Sequence, residues 1–191
     1  MSIQFLSCRR ACAALVIAAV AYGPAAFAAD TVKNSAATLN SDGQKALSGL
    51  YAKVPAAKTI GGKATAILVF PKVTKAGFGI GGQYGEGVLL KGGKPVAYYN
   101  TAGLSTGMQA GAQTYAYAMF FMNDAAVKSL DRAEGFEVGV GPSVVVMDEG
   151  MAKTTTTTTL DKDVYAFIFG QKGLMAGLGI QGNKITKINP K

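Results

Sequence analysis

The sequence predicts an α+β domain: a curved antiparallel sheet or partly closed barrel with N-terminal helices and one internal helix. Three observations carry this. Strand-like runs separated by tight glycine or proline turns fill the chain from Ala64 onward. Helical periodicity occurs ahead of those strands and once among them. A ladder of glycines (Gly77, Gly79, Gly81, Gly82, Gly85, Gly87) lies inside a strand-like stretch, and alternate glycines let a sheet bend and pack closely.

The N-terminus sets the compartment. Arg9 and Arg10 precede an apolar run, Ala11 to Tyr22, which is followed by Pro24 and Ala26-Phe27-Ala28. This is the pattern of a secretory signal peptide cut after Ala28, and the run is short for a bilayer span. The paired arginines raise the twin-arginine route, but their surroundings fit ordinary export better. The expected product is exported: periplasmic, peripherally membrane-associated, or secreted. The expected organisation is a removed leader at 1–28, a helical segment at 29–55, and a β-rich region at 56–191 that forms one unit with the helices.

Composition excludes whole classes of chemistry. The sequence has no histidine, and both cysteines, Cys8 and Cys12, fall in the leader. Disulfides, thiol nucleophiles and imidazole chemistry are therefore absent from the rest. Formal net charge is +8, with basic ends flanking an acidic middle, and Arg132 is the one arginine beyond the leader. Lysine suits diffuse attraction to phosphate headgroups, whereas forked recognition of bases more often uses arginine. Lysines with interleaved tyrosines would also suit a nucleic acid, but export and the missing arginines argue against one.

The elements follow in order. Thr31 to Leu39 has weak helical spacing, and Ser41 or Asp42 offers an N-cap for a clearer helix ending at Pro55. Leu47, Leu50, Tyr51 and Val54 make one apolar stripe. Such a stripe either packs on a sheet, the commoner fate, or lies on a membrane. Ala56 to Gly62, with Lys58, links helix to core, and Lys63 follows. Ala64 to Leu90 reads as strand, turn, strand: an uncharged run halts at Pro71, a basic turn holds Lys72 and Lys75, and the glycine ladder follows. Phe78 and Ile80 alternate with glycines, so one face is bare backbone and something must lie close against it.

Gly92-Gly93 is a turn signal, and a strand is expected over Pro95 to Asn100. Ala102 to Met122 is uncharged, which raises a membrane helix; its polar residues and the aromatics of Gln113 to Phe121 favour a strand. Asn123 can cap a helix closed by Gly135. Strands are expected over Phe136 to Val140, Ser143 to Met147, Val164 to Phe169 and Ile185 to Ile188. The six threonines from Thr154 to Thr159 suit an edge or hairpin arm.

Catalytic patterns are weak. Gly77-Phe78-Gly79-Ile80-Gly81-Gly82 satisfies G-x-G-x-x-G, but no helix is expected to begin there to meet a pyrophosphate. Metal sites would rest on acidic pairs such as Asp161 and Asp163, or Asp148 and Glu149, without EF-hand spacing. Paired-carboxylate catalysis would need two of Glu86, Asp131, Glu134 and Glu137 to converge. Ser105 has no histidine partner. The expectation is no enzyme, no cofactor and no metal.

Four motifs stand in order: KATAILVFPKVTKAGFGIGGQYGEGVLL, GLSTGMQAGAQ, GVGPS and DVYAFIFGQKGLMAGLGIQG. Together, over about Leu50 to Ile188, they resemble the SYLF domain, a lipid-binding module of bacterial exported proteins and of eukaryotic actin-patch and endosomal regulators. The family's apolar-Phe-Pro signature falls on Val69, Phe70 and Pro71, and its Ala-Gly-Phe and Gly-Gly on Ala76 to Phe78, Gly81 and Gly82. Its Gly-Pro falls on Gly141-Pro142, and its Tyr and Lys-Gly-Leu on Tyr165 and Lys172 to Leu174. The Trp-Ser-x-Pro segment of many members is missing, and the sequence has no tryptophan.

The resemblance implies binding of acidic lipid through basic residues and an N-terminal amphipathic segment. The residues expected to meet anionic phospholipid are Lys53, Lys58, Lys63, Lys72 and Lys75, with Leu47, Leu50 and Tyr51 as the apolar stripe. The alternative is a cell-envelope structural or protein-interaction module without lipid specificity. No nucleic-acid partner is expected, and neither a protein partner nor an oligomeric state follows from the sequence.

Overall fold

The computed structural model describes residues 34–132, 135–148, 161–173, 180 and 182–190. The expected leader, the threonine run and most of the LMAGLGIQG end of the fourth motif lie outside these residues. Among the described residues the architecture is α+β, a curled mixed sheet forming a half-barrel with helices at its N-terminal side.

Two helices come first, α1 (Ala36–Lys53) and α2 (Pro55–Gly61). The hydroxyl of Ser35 accepts from the Thr38 amide at 3.2 Å, so the helix begins earlier than the caps expected at Ser41 or Asp42. The weak and the clear helical segments are thus one helix. Pro55 ends α1 but also opens α2, because a proline at the first helical position forfeits only an N–H that has no partner there. The segment expected to be a linker is therefore helical.

Two very long strands follow, β1 (Ala66–Lys91) and β2 (Lys94–Phe121), paired antiparallel along nearly their whole length. Gly92 and Gly93, at φ 56° and 78°, make the two-residue connection that the glycine pair predicts. The remaining elements are α3 (Asp124–Lys128), β3 (Phe136–Glu137), β4 (Val144–Asp148), β5 (Val164–Gly173) and β6 (Lys184–Ile188). One edge of β2 pairs β1, and the other pairs β5 and β6 in turn. The expectation of an antiparallel sheet needs one correction: β4 runs parallel to β5. The long connection between β4 and β5 permits a parallel return that a tight hairpin would forbid.

The basic turn expected at Lys72 and Lys75 is a bulge within one strand. Phe70 faces Tyr117 and Val73 faces Tyr115, so Pro71 and Lys72 together oppose one residue. Proline has no amide for the ladder, and a bulge is where a strand tolerates it. The extra residue inverts the alternation. Ala66, Leu68 and Phe70 point inward before it; Val73, Lys75, Gly77, Gly81, Gln83, Gly85, Gly87 and Leu89 take the inward face after it.

The inward glycines are where the ribbon folds back on itself. A Cβ on Gly77 would collide with the Gly81 Cα, one on Gly85 would lie 2.7 Å from the Lys72 carbonyl oxygen, and one on Gly87 2.5 Å from that of Val69. These pairs centre on residues 78–79, the middle of the fold-back. What lies against the bare face is the first half of the same strand.

The sheet has a core on each side. Inside, Phe70, Tyr117, Met119 and Phe121 pack with Leu130, Phe136 and Ile185, from the segments that close the open side. Outside, Leu50, Val54, Ala57 and Ile60 of the two helices cover Val69, Val88, Leu90, Phe120 and Phe167. Asn123 caps α3 as its sequence predicts, its side-chain oxygen accepting from the Ala126 amide at 2.8 Å. Its side-chain nitrogen donates to Asp163, whose carboxylate also accepts from the Ser143 amide and hydroxyl. These bonds, that from Asn123 first, hold the Asp163 carboxyl below its ordinary range.

Candidate functional site

The residues expected to meet lipid are divided by the fold. Lys53 ends α1, Lys58 lies on α2 and Lys63 on the turn after it, ahead of β1. All three are exposed, as is Lys72 in the bulge of β1. Lys75 is corrected: it is only 4% exposed, turned into the half-barrel by the inversion that the Pro71 bulge imposes.

The apolar stripe is corrected too. Leu50 is 1% exposed and fully in the outer core, with Leu47 and Tyr51 packed against the same cluster. The Tyr51 ring stands 6.3 Å from that of Phe120, and burial raises its phenol above the usual range. The helix packs this closely because Gly43 leaves room for Val88. The stripe therefore seats α1 on the sheet and is not available for insertion.

A second group is not legible in the sequence: a polar cluster inside the half-barrel. Lys75 and Gln113 are cross-strand partners. The Tyr115 hydroxyl donates to the Gln83 side-chain oxygen at 2.6 Å, and the Gln83 amide donates to the Asn183 side-chain oxygen. Gly103 makes room for the last pair, since a Cβ there would collide with the Asn183 side chain. Thr101 and Tyr117 are fully buried beside them. Burial pushes Tyr115 and Tyr99 up to about 12, with Asp131 adding to the rise at Tyr99, and raises Tyr117 further.

A pH dependence follows. An unfolded tyrosine ionises near 10, whereas the folded protein keeps these protons to about 12. The folded state binds more protons in that interval, so stability is intact below it and falls as the pH climbs through it. Alkaline titration followed by phenolate absorbance should show late-ionising tyrosines, with the thermal midpoint falling over the same range. Ionisation of all tyrosines near 10 in the folded protein would contradict the buried cluster.

Chemically the interior offers, among the described residues, amides, hydroxyls and the amine of Lys75. Among the described residues no three Asp, Glu, His or Cys side chains are placed to hold a metal. Glu86 is only 7% exposed and its carboxylate accepts from Tyr84 and from both nitrogens of Asn34, at 3.0 to 3.1 Å. Asp131 accepts from Tyr99 and Lys187. The G-x-G-x-x-G glycines lie within β1, with no helix starting at them.

The outer surface holds a feature that residue spacing does not reveal. Phe78, Ile80 and Leu104 are 88%, 71% and 86% exposed, on the outer side of the bend where the ribbon folds back. The alternation of Phe78 and Ile80 with glycine is visible in the sequence, but their lack of cover is not.

No curated protein matches the chain. A family model does: residues 102–190 match Ysc84, described as Las17-binding protein actin regulator. The matched part spans most of β2 and everything after it, including the GVGPS motif and the Tyr165 and Lys172 positions that carry the resemblance. The described part of this region is also what closes the half-barrel onto β2. Over residues 102–190 the chain is thus similar to the Ysc84 (SYLF) domain, in agreement with the resemblance that its motifs carry.

Proposed function

We propose that this protein is a non-enzymatic module that attaches reversibly to anionic phospholipid after export. The observation that carries the reading is the exposure of Lys53, Lys58, Lys63 and Lys72, on the helices, the turn after them and the β1 bulge. Near an anionic surface each such lysine contributes about 1 kcal/mol, so a few suffice for reversible binding without an inserted helix. Because the stripe of α1 is core, the attraction of these lysines is electrostatic and falls with salt.

Cosedimentation with phosphatidylglycerol and with phosphatidylcholine vesicles across a salt series tests this. Wild type should sediment with the anionic vesicles alone. Replacing Lys58, Lys63 and Lys72 together by glutamine should lower the partition coefficient roughly a hundredfold at low salt. Lys75→Gln, being interior, should leave the salt dependence unchanged. Equal binding to both vesicle types, or to neither, would sink the reading.

The second reading, a protein-interaction module, is favoured by the description of the matched family as binding Las17. Absence of any vesicle binding, together with a stoichiometric envelope partner, would decide for it.

A further inference from the structure

We propose that the outer face of the bend in the β1–β2 ribbon is an insertion knob, with Phe78, Ile80 and Leu104 entering the acyl boundary of an anionic bilayer. The proposal rests on the lipid reading above and names the contact that reading lacks once the α1 stripe is assigned to the core.

Single exposed apolar side chains are ordinary on protein surfaces, but a contiguous group is not. These three are contiguous. Phe78, Ile80 and Gly82 share one face of β1 by alternation, and Gly82 is the cross-strand partner of Leu104. Exposed Ala76 and Ala112, themselves partners, extend the apolar surface from Phe78, and exposed Ala102 extends it beyond Leu104. The helices cover this same outer face only at its other end, over Val69, Val88 and Leu90.

The shape selects the occupant. The ribbon closes on its glycine face, with Gly77 against Gly81, so the opposite face is the convex side of a sharp bend. A convex apolar projection suits entry into a headgroup layer, whereas peptide segments are received by grooves or free strand edges.

The charges around it agree. Lys172 is the partner of Thr114, itself the partner of Thr74, and Lys184 is the partner of Ala102, itself the partner of Tyr84. Partners share a face, so both exposed lysines lie on the side of the apolar surface, level with positions four residues along β1 from Phe78 and Ile80 respectively and two strands across from β1. Among the described acids on that face, Glu86 is buried and bonded to Tyr84 and Asn34, and exposed Glu137 lies on the far side of Lys184 from the apolar surface, as its partner in β3. An apolar centre with a lysine at each end matches an anionic bilayer.

The sequence has no tryptophan, so Phe78→Trp creates a lone reporter. With phosphatidylglycerol vesicles its emission should shift to the blue and be quenched by lipids brominated on the acyl chain. The triple variant Phe78→Ser, Ile80→Ser, Leu104→Ser should keep the wild-type circular dichroism, since these side chains are exposed. It should partition on the order of tenfold or more weaker, and its residual binding should be stripped by salt.

Anionic vesicles that bind wild type and the triple serine variant equally, with no shift in the emission of the Phe78→Trp variant, would overturn the knob and leave the lysine reading standing. No binding of wild type to any vesicle overturns both. A wild-type dimer that the serine variant converts to monomer, with vesicle binding unchanged, assigns the face to a second copy of the chain and also overturns the proposal.

Discussion

Gly87→Val should leave the protein largely unfolded under conditions where wild type is native. The new Cβ would sit 2.5 Å from the Val69 carbonyl oxygen and 2.7 Å from a ring carbon of Phe70. Neither neighbour can yield: one is backbone in the same folded-back strand, and the other is a buried ring stacked at 4.6 Å on Tyr117. Ordinary overpacking costs about 1–3 kcal/mol, and separating two layers of backbone costs more, against a total stability of about 5–15 kcal/mol. Urea unfolding followed by circular dichroism measures it. Gly82→Val is the control: the same ladder, but outward, with nothing within 4 Å, and an expected change within about 0.5 kcal/mol. Equal effects at the two positions would mean that the ribbon does not fold on its glycine face.

Leu50→Ala should cost about 2–5 kcal/mol, because it removes a fully buried side chain from the outer core and leaves a cavity under α1. The folded fraction of the variant should still bind anionic vesicles as wild type does. This separates core from contact for the amphipathic stripe. Loss of vesicle binding without loss of stability would show that Leu50 meets lipid after all and that α1 leaves the sheet to do so.

Much of the secondary structure is legible in the sequence because it is local. The Gly92-Gly93 connection, the Asn123 cap and the aromatic strand from Val164 each depend on a few neighbouring residues whose preferences agree. Pro71 reads as the end of a strand because proline breaks ladders, and it does break this one, but by one residue. That single residue decides the face of everything up to Leu89. It carries Lys75 from an expected lipid contact into the interior and lines Gly77, Gly81, Gly85 and Gly87 up inward. Alternation in a sequence has no absolute phase across a bulge, so the error at Lys75 is one of phase and not of propensity.

The candidate site divides the same way. The stripe of α1 is found by its spacing, yet spacing is identical for a helix on a sheet and a helix on a membrane. Only Gly43 resting on Val88, and Leu50 almost without exposed surface, distinguish them. Conversely, Phe78 and Ile80 sit in a strand that any pattern would assign to a packed sheet, and the fold leaves them uncovered.

The sequence by itself determined the α+β class, the family motifs, the lysine-rich charge, and the absence of histidine throughout and of cysteine after Cys12. All of these are properties of residue type and near spacing. The tertiary structure alone decided which face each strand residue takes, what lies against the bare glycines, and which apolar residues meet water. Those depend on a ribbon meeting itself across residues that are distant in the chain, and on a bulge whose effect accumulates along the strand.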